Sequence, residues 1–268
     1  MFDHRGNIRY SWDIFIIFLA LYNSVVTPLD FSFDYMSYTI TKPPWNWIER
    51  FIEVCYYLDI YVGFTTSYIN HYSGEVFYGP GKLAKNYILH GSFFIDFLST
   101  FRFSMVIKTT NQNILLFFKA LKLLKVLRVK KVSKIIRASH VEKEIKAISQ
   151  VLYYTLILVI YTHLVACIMW WLLKTKAVWT PAVDFGNVYT EVFGARADRD
   201  AFDQFWYQYV TMWYNSALAF ALVEVNPRTY TQISVMIMIY IFNAIVNAVL
   251  FGVFVDQFEI VREKQKAQ

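Results

Sequence analysis

Glycine, proline and cysteine are scarce in this chain of 268 residues, which contains 9 Gly, 6 Pro and 2 Cys. Such small numbers of glycine and proline argue against a disordered or loop-rich protein, because such proteins are enriched in both. The two cysteines, Cys55 and Cys167, lie in apolar runs, so a disulfide framework is not expected. Charged residues make up only 17% of the chain, which is low for a soluble domain of this size.

Apolar residues are abundant instead, with 57% hydrophobic and 19% aromatic residues. Six apolar segments can be marked with the length needed to cross about 30 Å of hydrocarbon as a guide, and they lie at roughly 12–27, 48–69, 87–107, 114–137, 148–173 and 233–261. A further aromatic stretch at about 202–227 is short for a span and contains Tyr and Asn, which favours a re-entrant helix and loop. The sequence therefore predicts an all-α membrane protein with six transmembrane helices.

The basic residues predict the orientation of these segments. If there are six spans, one side of the membrane receives Arg5, Arg9, Lys82, Lys85, Lys143, Lys146, Arg262, Lys264 and Lys266. The opposite side holds mainly acidic residues. By the positive-inside rule, residues 1–11 and the beginning of a C-terminal region at 262–268 are expected in the cytosol.

The fourth segment carries a cation at every third position. The series consists of Lys119, Lys122, Lys125, Arg128, Lys131, Lys134 and Arg137. A solvated amphipathic helix, a basic stripe for nucleic acid or anionic lipid, and a voltage sensor are the competing interpretations. An α-helix turns 100° per residue, so six steps of three carry the charges once around it and leave no apolar face. The spacing therefore favours a voltage sensor, whose cations pass in turn through a fixed site.

Four carboxylates lie inside the apolar runs of the first three segments, namely Asp13, Glu53, Asp59 and Asp96. A single carboxylate in a membrane could be a packing contact or a proton relay. Four of them beside seven cations predict countercharges, because lysine at the bilayer centre costs about 2.5–3.5 kcal/mol. Tyr56 stands three residues before Asp59 on the same helix face. It is either a plug in the path of the charges or an ordinary packing residue.

Four stretches of the chain carry a resemblance to a known family. WDIFIIFLALYNSVVTPLDFSF resembles that family's first segment, and YYLDIYVGFTTSYIN resembles its second. In YILHGSFFIDFLSTF, Gly91, Phe94 and Asp96 occupy the family's places in the third segment, and HLVACIMWW is similar to the fifth. The family is the cyclic-nucleotide-gated, hyperpolarisation-activated and ether-à-go-go group of voltage-gated-like cation channels. The resemblance makes His163 a packing and hydrogen-bonding residue rather than a relay.

The resemblance implies a tetramer of six-helix subunits. Residues 12–137 would form a four-helix voltage-sensor bundle, 138–147 a short linker, and 148–261 a two-helix pore domain with its re-entrant pore helix. Permeant cations and membrane lipid are the expected partners, in a homo- or hetero-tetramer or a larger membrane complex. A multi-pass protein of the plasma or ciliary membrane is expected, with an organelle membrane as the alternative. No enzyme activity, metal, cofactor or nucleic acid is expected.

The stretch SALAFALVEVNP occupies the place of the pore filter and departs from the family's pattern. It contains no glycine, and none occurs between Gly194 and Gly252, which argues against the carbonyl ladder of potassium filters. Nucleotide-gated members use a shorter filter that ends in Gly-Glu before a proline, and Glu224 matches that glutamate. The predicted filter comprises Ala221, Leu222, Val223, Glu224, Val225 and Asn226.

Three functional hypotheses follow from these features. The first is a voltage-sensing, weakly selective cation channel subunit, with Glu224 forming a ring of four carboxylates. The second is a non-conducting accessory or structural subunit of a larger complex, in which Leu222, Val223 and Val225 seal the loop. The third, a proton-conducting sensor, leaves the fifth and sixth segments without a role. Gly252 either hinges the sixth segment or allows close packing.

Overall fold

The computed structural model describes residues 7–69, 76–77, 79–89, 91–101, 112–138, 143–175, 200–225, 227 and 229–267, and these are almost entirely helical. The helices of the first half are α1 (Asn7–Ser32), α2 (Asp34–Ile40), α3 (Trp45–Thr65), α4 (Pro80–Leu89) and α5 (Phe93–Thr100). They are followed by α6 (Gln112–Leu121), a 3₁₀ helix (Lys122–Val129), α7 (Lys130–Ala138), α8 (Lys143–Thr175), α9 (Ala201–Phe220) and α10 (Tyr230–Ala267). Strands β1 (Tyr68–Ile69) and β2 (Val76–Phe77) form an antiparallel pair in which Tyr68 faces Phe77.

The chain divides into two compact units. The first comprises Met1–Thr27 and Thr39–Val132, and the second comprises Pro28–Tyr38 and Ser133–Gln268. In the first unit, α3 packs against α4 and α5, and α5 packs against the 3₁₀ helix. A small apolar core formed by Ile16, Ile52, Cys55 and Tyr56 lies between α1 and α3.

The second unit has a larger, aromatic core, in which α8 packs against α9 and α10. Phe33 stacks on Trp170 with 5.1 Å between the ring centroids, and its edge meets Phe205 at 5.3 Å. Tyr209 and Met212 of α9 are buried in the same cluster. Aromatic rings of this kind bury large apolar areas and prefer such stacked and edge-to-face geometries.

Three helical stretches are long and apolar enough to cross a membrane: Ile8–Ser32, Ile145–Leu173 and Tyr230–Ile260. They contain the predicted segments at 12–27 and 148–173, and all of the predicted segment at 233–261 except residue 261. The other predicted segments are mostly helical in their described parts but are shorter, interrupted or more charged. The six-span layout therefore stays a prediction.

The predicted segment at 87–107 does not form one continuous helix in its described part, because α4 ends at Leu89 and α5 begins at Phe93. The N–H of Gly91 donates to the carbonyl oxygens of Asn86 and Tyr87, each at 3.1 Å, which ends α4. A Cβ at Gly91 would lie 2.5 Å from the Tyr87 carbonyl oxygen, so this helix end requires glycine. The segment at 48–69 also ends early as a helix, at Thr65, where the chain turns towards β1.

The expectation that the cations wind around an α-helix is wrong for Lys122–Val129, which is a 3₁₀ helix. A 3₁₀ helix has three residues per turn, so a step of three places successive side chains on one face. Lys122, Lys125 and Arg128 therefore share a face.

Gly252 lies within α10, which continues unbroken from Tyr230 to Ala267. A Cβ added at Gly252 would meet no described atom within 4 Å, so the close-packing alternative has no support within the described part of the chain. Its role as a hinge stays a prediction.

Candidate functional site

The centre of the first unit is a buried ion pair between the 3₁₀ helix and α5. Arg128 and Asp96 are 3% and 2% exposed. The Nε of Arg128 donates to Asp96 Oδ1 at 3.2 Å. Its Nη2 donates to the Asp96 carbonyl oxygen at 3.1 Å, to Ser99 Oγ at 3.4 Å and to Thr100 Oγ1 at 2.7 Å. A buried charge requires this degree of satisfaction, and the planar guanidinium fork suits several acceptors at once.

The second oxygen of Asp96 is held by hydroxyl groups. Tyr87 donates to Asp96 Oδ2 at 2.8 Å, and Ser92 donates to the same atom at 2.5 Å. The carboxylate thus receives hydrogen bonds on both oxygens while it lies out of contact with water. Buried carboxylates are stable in the charged form only when paired and hydrogen-bonded in this way.

Tyr56 forms the aromatic wall of this site and is completely buried. The Cζ of Arg128 lies 3.8 Å from the centroid of the Tyr56 ring, and Lys125 Nζ lies 5.7 Å from it. Asn23 of α1 donates to the Tyr56 hydroxyl at 2.8 Å. Cations over an aromatic face gain about 0.5–2 kcal/mol, so the ring favours two successive cations of the series.

Lys131 is the next cation and has its own carboxylate. Its Nζ donates to Asp59 Oδ2 at 2.6 Å, and Trp12 Nε1 donates to Asp59 Oδ1 at 3.3 Å. The Asp59 side chain is 2% exposed, and that of Lys131 is 22% exposed. The carboxylate of this ion pair is therefore shielded from solvent, whereas the lysine is partly exposed.

Lys125, which precedes Arg128 in the series, is buried at 3% exposure. The negative charges of Glu49 and Glu53 on α3 act favourably on it, while Lys122 and Arg128 repel it. Glu49 did not figure among the predicted countercharges, although it lies four residues before Glu53 and thus on the same helix face.

The other predicted members of the site lie elsewhere or outside the described residues. Asp13 pairs with Arg9, one turn earlier on α1, at 2.9 Å, rather than with a cation of the series. Lys122 is partly buried. The side chains of Lys119, Lys134 and Arg137 lie outside the described part of the chain.

Four hydroxyl-bearing residues of the site were missed by sequence reasoning. Ser92, Ser99 and Thr100 stand four before, three after and four after Asp96, which are positions next to it on a helix face. That spacing from Asp96 is a signal in the sequence from which these three hydroxyl residues could have been predicted. Tyr87 carried no comparable signal, because it lies on α4 and meets Asp96 only through the tertiary fold.

Three consecutive cations of the series, three residues apart, each have acidic residues of their own. Lys125 is influenced by Glu49 and Glu53, Arg128 is bound by Asp96, and Lys131 is bound by Asp59. A shift of the helix by three residues would replace each cation by its neighbour of equal charge. Within the described ranges, no group of three or more His, Cys, Asp and Glu residues could hold a metal ion.

In the second unit, the predicted filter begins as the C-terminal cap of α9. Leu222 has a φ of 60°, the only non-glycine residue with positive φ in the described part of the chain. The N–H of Val223 donates to the Leu218 carbonyl oxygen at 3.0 Å, and that of Leu222 donates to Ala219 at 3.1 Å. These two bonds form a Schellman motif, in which glycine is the usual residue at the left-handed position.

Three polar side chains of α10 hold this cap. The Tyr240 hydroxyl donates to the Val223 carbonyl oxygen at 2.8 Å and accepts from Val225 N at 3.1 Å. Asn243 Nδ2 donates to the Ala219 carbonyl oxygen at 2.8 Å, and Asn247 Nδ2 donates to Phe220 at 2.9 Å. The Tyr161 hydroxyl in turn donates to Asn243 Oδ1. Their positions at 240, 243 and 247 repeat with helical spacing within an apolar segment, a signal that sequence reasoning did not use.

The remaining filter positions differ in exposure. Ala221, Leu222, Val223 and Glu224 are exposed within the single chain, and Val225 is buried. Asn226 lies outside the described residues. Nearby, His163 is buried and lies 2.7 Å from the Tyr209 hydroxyl through its Nδ1.

We expect Leu222→Gly to stabilise the protein. The left-handed conformation costs a residue with a Cβ about 1–2 kcal/mol, while glycine adds about 0.5–1 kcal/mol of unfolded-state entropy. The free energy of unfolding should therefore rise by about 0.5–1 kcal/mol, measurable as a higher unfolding temperature in detergent. Ala217→Gly, at an exposed position inside α9, is the matched control and should lower stability by about 1 kcal/mol. Equal losses in both variants would contradict the left-handed conformation at Leu222.

Comparisons with known proteins cover nearly the whole chain. The family model described as ion transport protein matches residues 9–266. The potassium channel GORK of Arabidopsis thaliana is 24% identical over 93% of this chain and 30% of its own length. The voltage-gated inwardly rectifying potassium channel KCNH6 of Gallus gallus is 28% identical over 39% of the chain and 9% of that protein. The voltage-gated delayed rectifier potassium channel KCNH1 of Rattus norvegicus is 25% identical over 46% of this chain and 12% of its own length. The chain thus spans only 9% to 30% of the length of these relatives.

Proposed function

Because the chain belongs to the ion transport protein family and to its voltage-gated-like cation channels, we propose that it is a voltage-sensing, weakly selective cation channel subunit. The observation that carries the proposal is the buried contact of Arg128 with Asp96 and the Tyr56 ring. A membrane-spanning cation series with one member enclosed by a carboxylate and an aromatic ring is a means of moving charge through the field.

In this proposal the seven cations are the sensing charges, and Glu53, Asp59 and Asp96 are countercharges. Tyr56 acts as the plug between successive cations, since it contacts both Lys125 and Arg128. Each elementary charge moved across the membrane changes the energy by about 2.3 kcal/mol per 100 mV. A few charges in each of four subunits would therefore shift a closed–open equilibrium strongly.

The proposed layout has six spans. They are α1, α3, the α4–α5 pair, the stretch from α6 to α7, α8 and α10, with α9 as the re-entrant pore helix. The voltage-sensor domain is assigned to 12–137, the linker to 138–147 and the pore domain to 148–261. Residues 1–11 and 262–268 are assigned to the cytosol. Support comes from the cation bias of the connecting segments and from the three helical stretches of spanning length.

Weak selectivity is proposed from the chemistry of the filter. The Val223 carbonyl oxygen accepts a hydrogen bond from Tyr240, so this oxygen is turned to α10 and not to an ion. The exposed Glu224 side chain is then the main group that could attract a cation. In a tetramer, four copies around one axis would favour cations over anions without replacing the hydration shell of potassium.

A second candidate function is favoured by the same cap. The carbonyl oxygens of Val223 and of the last residues of α9 accept hydrogen bonds from the side chains of Tyr240, Asn243 and Asn247. These bonds make the loop that follows α9 a fixed structural element. With Leu222 and Val223 beside it, such a loop could seal the pore. The chain would then be a non-conducting accessory or structural subunit that retains the sensor.

The test is to reconstitute the full chain in a planar bilayer with unequal sodium, potassium and chloride on the two sides. We expect cation currents with a sodium-to-potassium permeability ratio near unity and an open probability that depends on voltage. A strongly potassium-selective current would contradict weak selectivity. Gating charge without ionic current at any voltage would favour the accessory subunit.

A further inference from the structure

The two oxygens of the Asp96 carboxylate have separate partners. Arg128 Nε uses Oδ1, while the hydroxyls of Tyr87 and Ser92 both donate to Oδ2. Tyr87 lies nine residues before Asp96, on the other side of the helix break at Gly91. The hydroxyl pair thus fixes the plane of the carboxylate from the side opposite to the cation.

Gly63 of α3 provides the space for the Tyr87 ring. A Cβ at this position would lie 2.7 Å from Tyr87 Cζ and 2.9 Å from Cε1, at the hydroxyl end of the ring. Phe64 and Phe93 meet the ring edge-on, with centroid distances of 5.0 Å and 5.8 Å. The ring is therefore closely confined, and a methyl group at Gly63 would displace its hydroxyl from Asp96.

We infer that Tyr87, together with Ser92 and enabled by Gly63, is a positioning residue that orients the Asp96 carboxylate to receive the sensor cation. This inference rests on the proposed voltage-sensing function. The torsion that turns a carboxylate is broad and two-fold, so neighbouring donors set its orientation. Both hydroxyls occupy Oδ2, which leaves Oδ1 directed to Arg128. Without the Tyr87 hydroxyl, the carboxylate loses a donor in a site closed to water.

The first experiment measures gating charge under voltage clamp for Tyr87→Phe. Loss of a hydrogen bond to a charged group is expected to change the equilibrium between sensor positions by about tenfold. A tenfold change corresponds to about 1.4 kcal/mol, or a midpoint shift of about 60 mV for one charge moved through the field. The number of charges moved, and thus the limiting slope, should stay unchanged. Tyr61→Phe, at an exposed position on α3, is the control.

Two further variants separate the hydroxyl contacts from packing. Gly63→Ala should shift the midpoint in the same direction as Tyr87→Phe, while Gly81→Ala, where an added Cβ meets nothing within 4 Å, should not. Ser92→Ala should shift it, and Ser92→Thr should restore the wild-type value because it keeps a hydroxyl. The inference would be overturned if Gly81→Ala shifted the midpoint as much as Gly63→Ala, or if Tyr61→Phe shifted it as much as Tyr87→Phe.

A thermal double-mutant cycle on the detergent-solubilised full chain tests the contact without gating. The fall in unfolding temperature caused by Tyr87→Phe should disappear in the Asp96→Asn background. If the falls in unfolding temperature caused by Tyr87→Phe and Asp96→Asn were additive in the double variant, the inference would be overturned.

The two experiments distinguish failure of this inference from failure of the proposed function. If Arg128→Gln reduces gating charge but Tyr87→Phe leaves the midpoint unchanged, the sensor stands and the inference is overturned. If the wild type moves no gating charge, the proposed function fails. The thermal double-mutant cycle is then the remaining test of the contact. A coupling between Tyr87→Phe and Asp96→Asn would still support Tyr87 as the residue that orients Asp96.

Discussion

Arg128→Gln should flatten the relation between gating charge and voltage. In the proposed sensor, the substitution removes one sensing charge per subunit, and with it about 2.3 kcal/mol per 100 mV of coupling to the field for a full crossing. It also leaves Asp96 buried without a cation, and breaking a buried pair costs about 3–5 kcal/mol. The position of the helix that is seen in the structure should therefore lose occupancy, and the limiting slope should fall. Both quantities are read from gating currents under voltage clamp.

Two further variants make this result specific to the site. Lys130→Gln removes an equal charge from an exposed neighbour outside the three-residue series and should leave the slope unchanged. Arg128→Lys keeps the charge but cannot reach Asp96, Ser99 and Thr100 together, because an ammonium lacks the guanidinium fork. It should shift the midpoint while preserving the slope. An unchanged slope in Arg128→Gln would remove Arg128 from the sensing charges.

Glu224→Gln should reduce cation current and divalent block together. Glu224 is the only acidic residue between Asp203 and Asp256, so it would supply most of the local attraction for cations. Four carboxylates around one axis repel one another, and a divalent ion bound among them relieves that repulsion. Neutralising them should weaken block by calcium or magnesium by about tenfold or more, equivalent to at least about 1.4 kcal/mol. Single-channel recordings in symmetrical monovalent salt with added divalent ions measure both effects.

Asp203→Asn is the matched control for this variant. It removes one exposed carboxylate per subunit from the first turn of α9, at the end opposite to the loop. Current and block should remain at wild-type values. Equal effects of the two substitutions would show that the filter senses overall charge rather than a Glu224 ring. A wild type that passes no ions at any voltage would favour the accessory subunit.

The helical class and the family could be predicted from the sequence because they depend on local patterns. Long apolar runs indicate helices, and charged residues inside them indicate partners. The sequence indicates Asp59 and Asp96 for this reason, and Tyr56 through its position three residues before Asp59. The structure places them against Lys131, Arg128 and the Lys125–Arg128 pair. Their roles as countercharges and plug stay predictions.

Other features depend on contacts that no local pattern encodes. A three-residue repeat of charges is compatible with both α and 3₁₀ geometry, and the choice was visible only in the fold. The end of α4 at Gly91 requires a residue without a Cβ, because a Cβ there would lie 2.5 Å from the Tyr87 carbonyl oxygen. Tyr240 and Tyr87 act across helices, so their significance came from tertiary hydrogen bonds and not from their neighbours in sequence.

The 3₁₀ geometry of Lys122–Val129 determines the kind of motion that this segment can make. In an α-helix, a step of three residues requires a rotation of about 60° together with about 4.5 Å of travel. In a 3₁₀ helix, three residues complete one turn over about 6 Å. In the proposed sensor, Lys125 would therefore succeed Arg128 at Asp96 by translation along the helix axis, without rotation. During such a translation, a fluorophore attached to this segment would change its depth in the membrane without rotating about the helix axis.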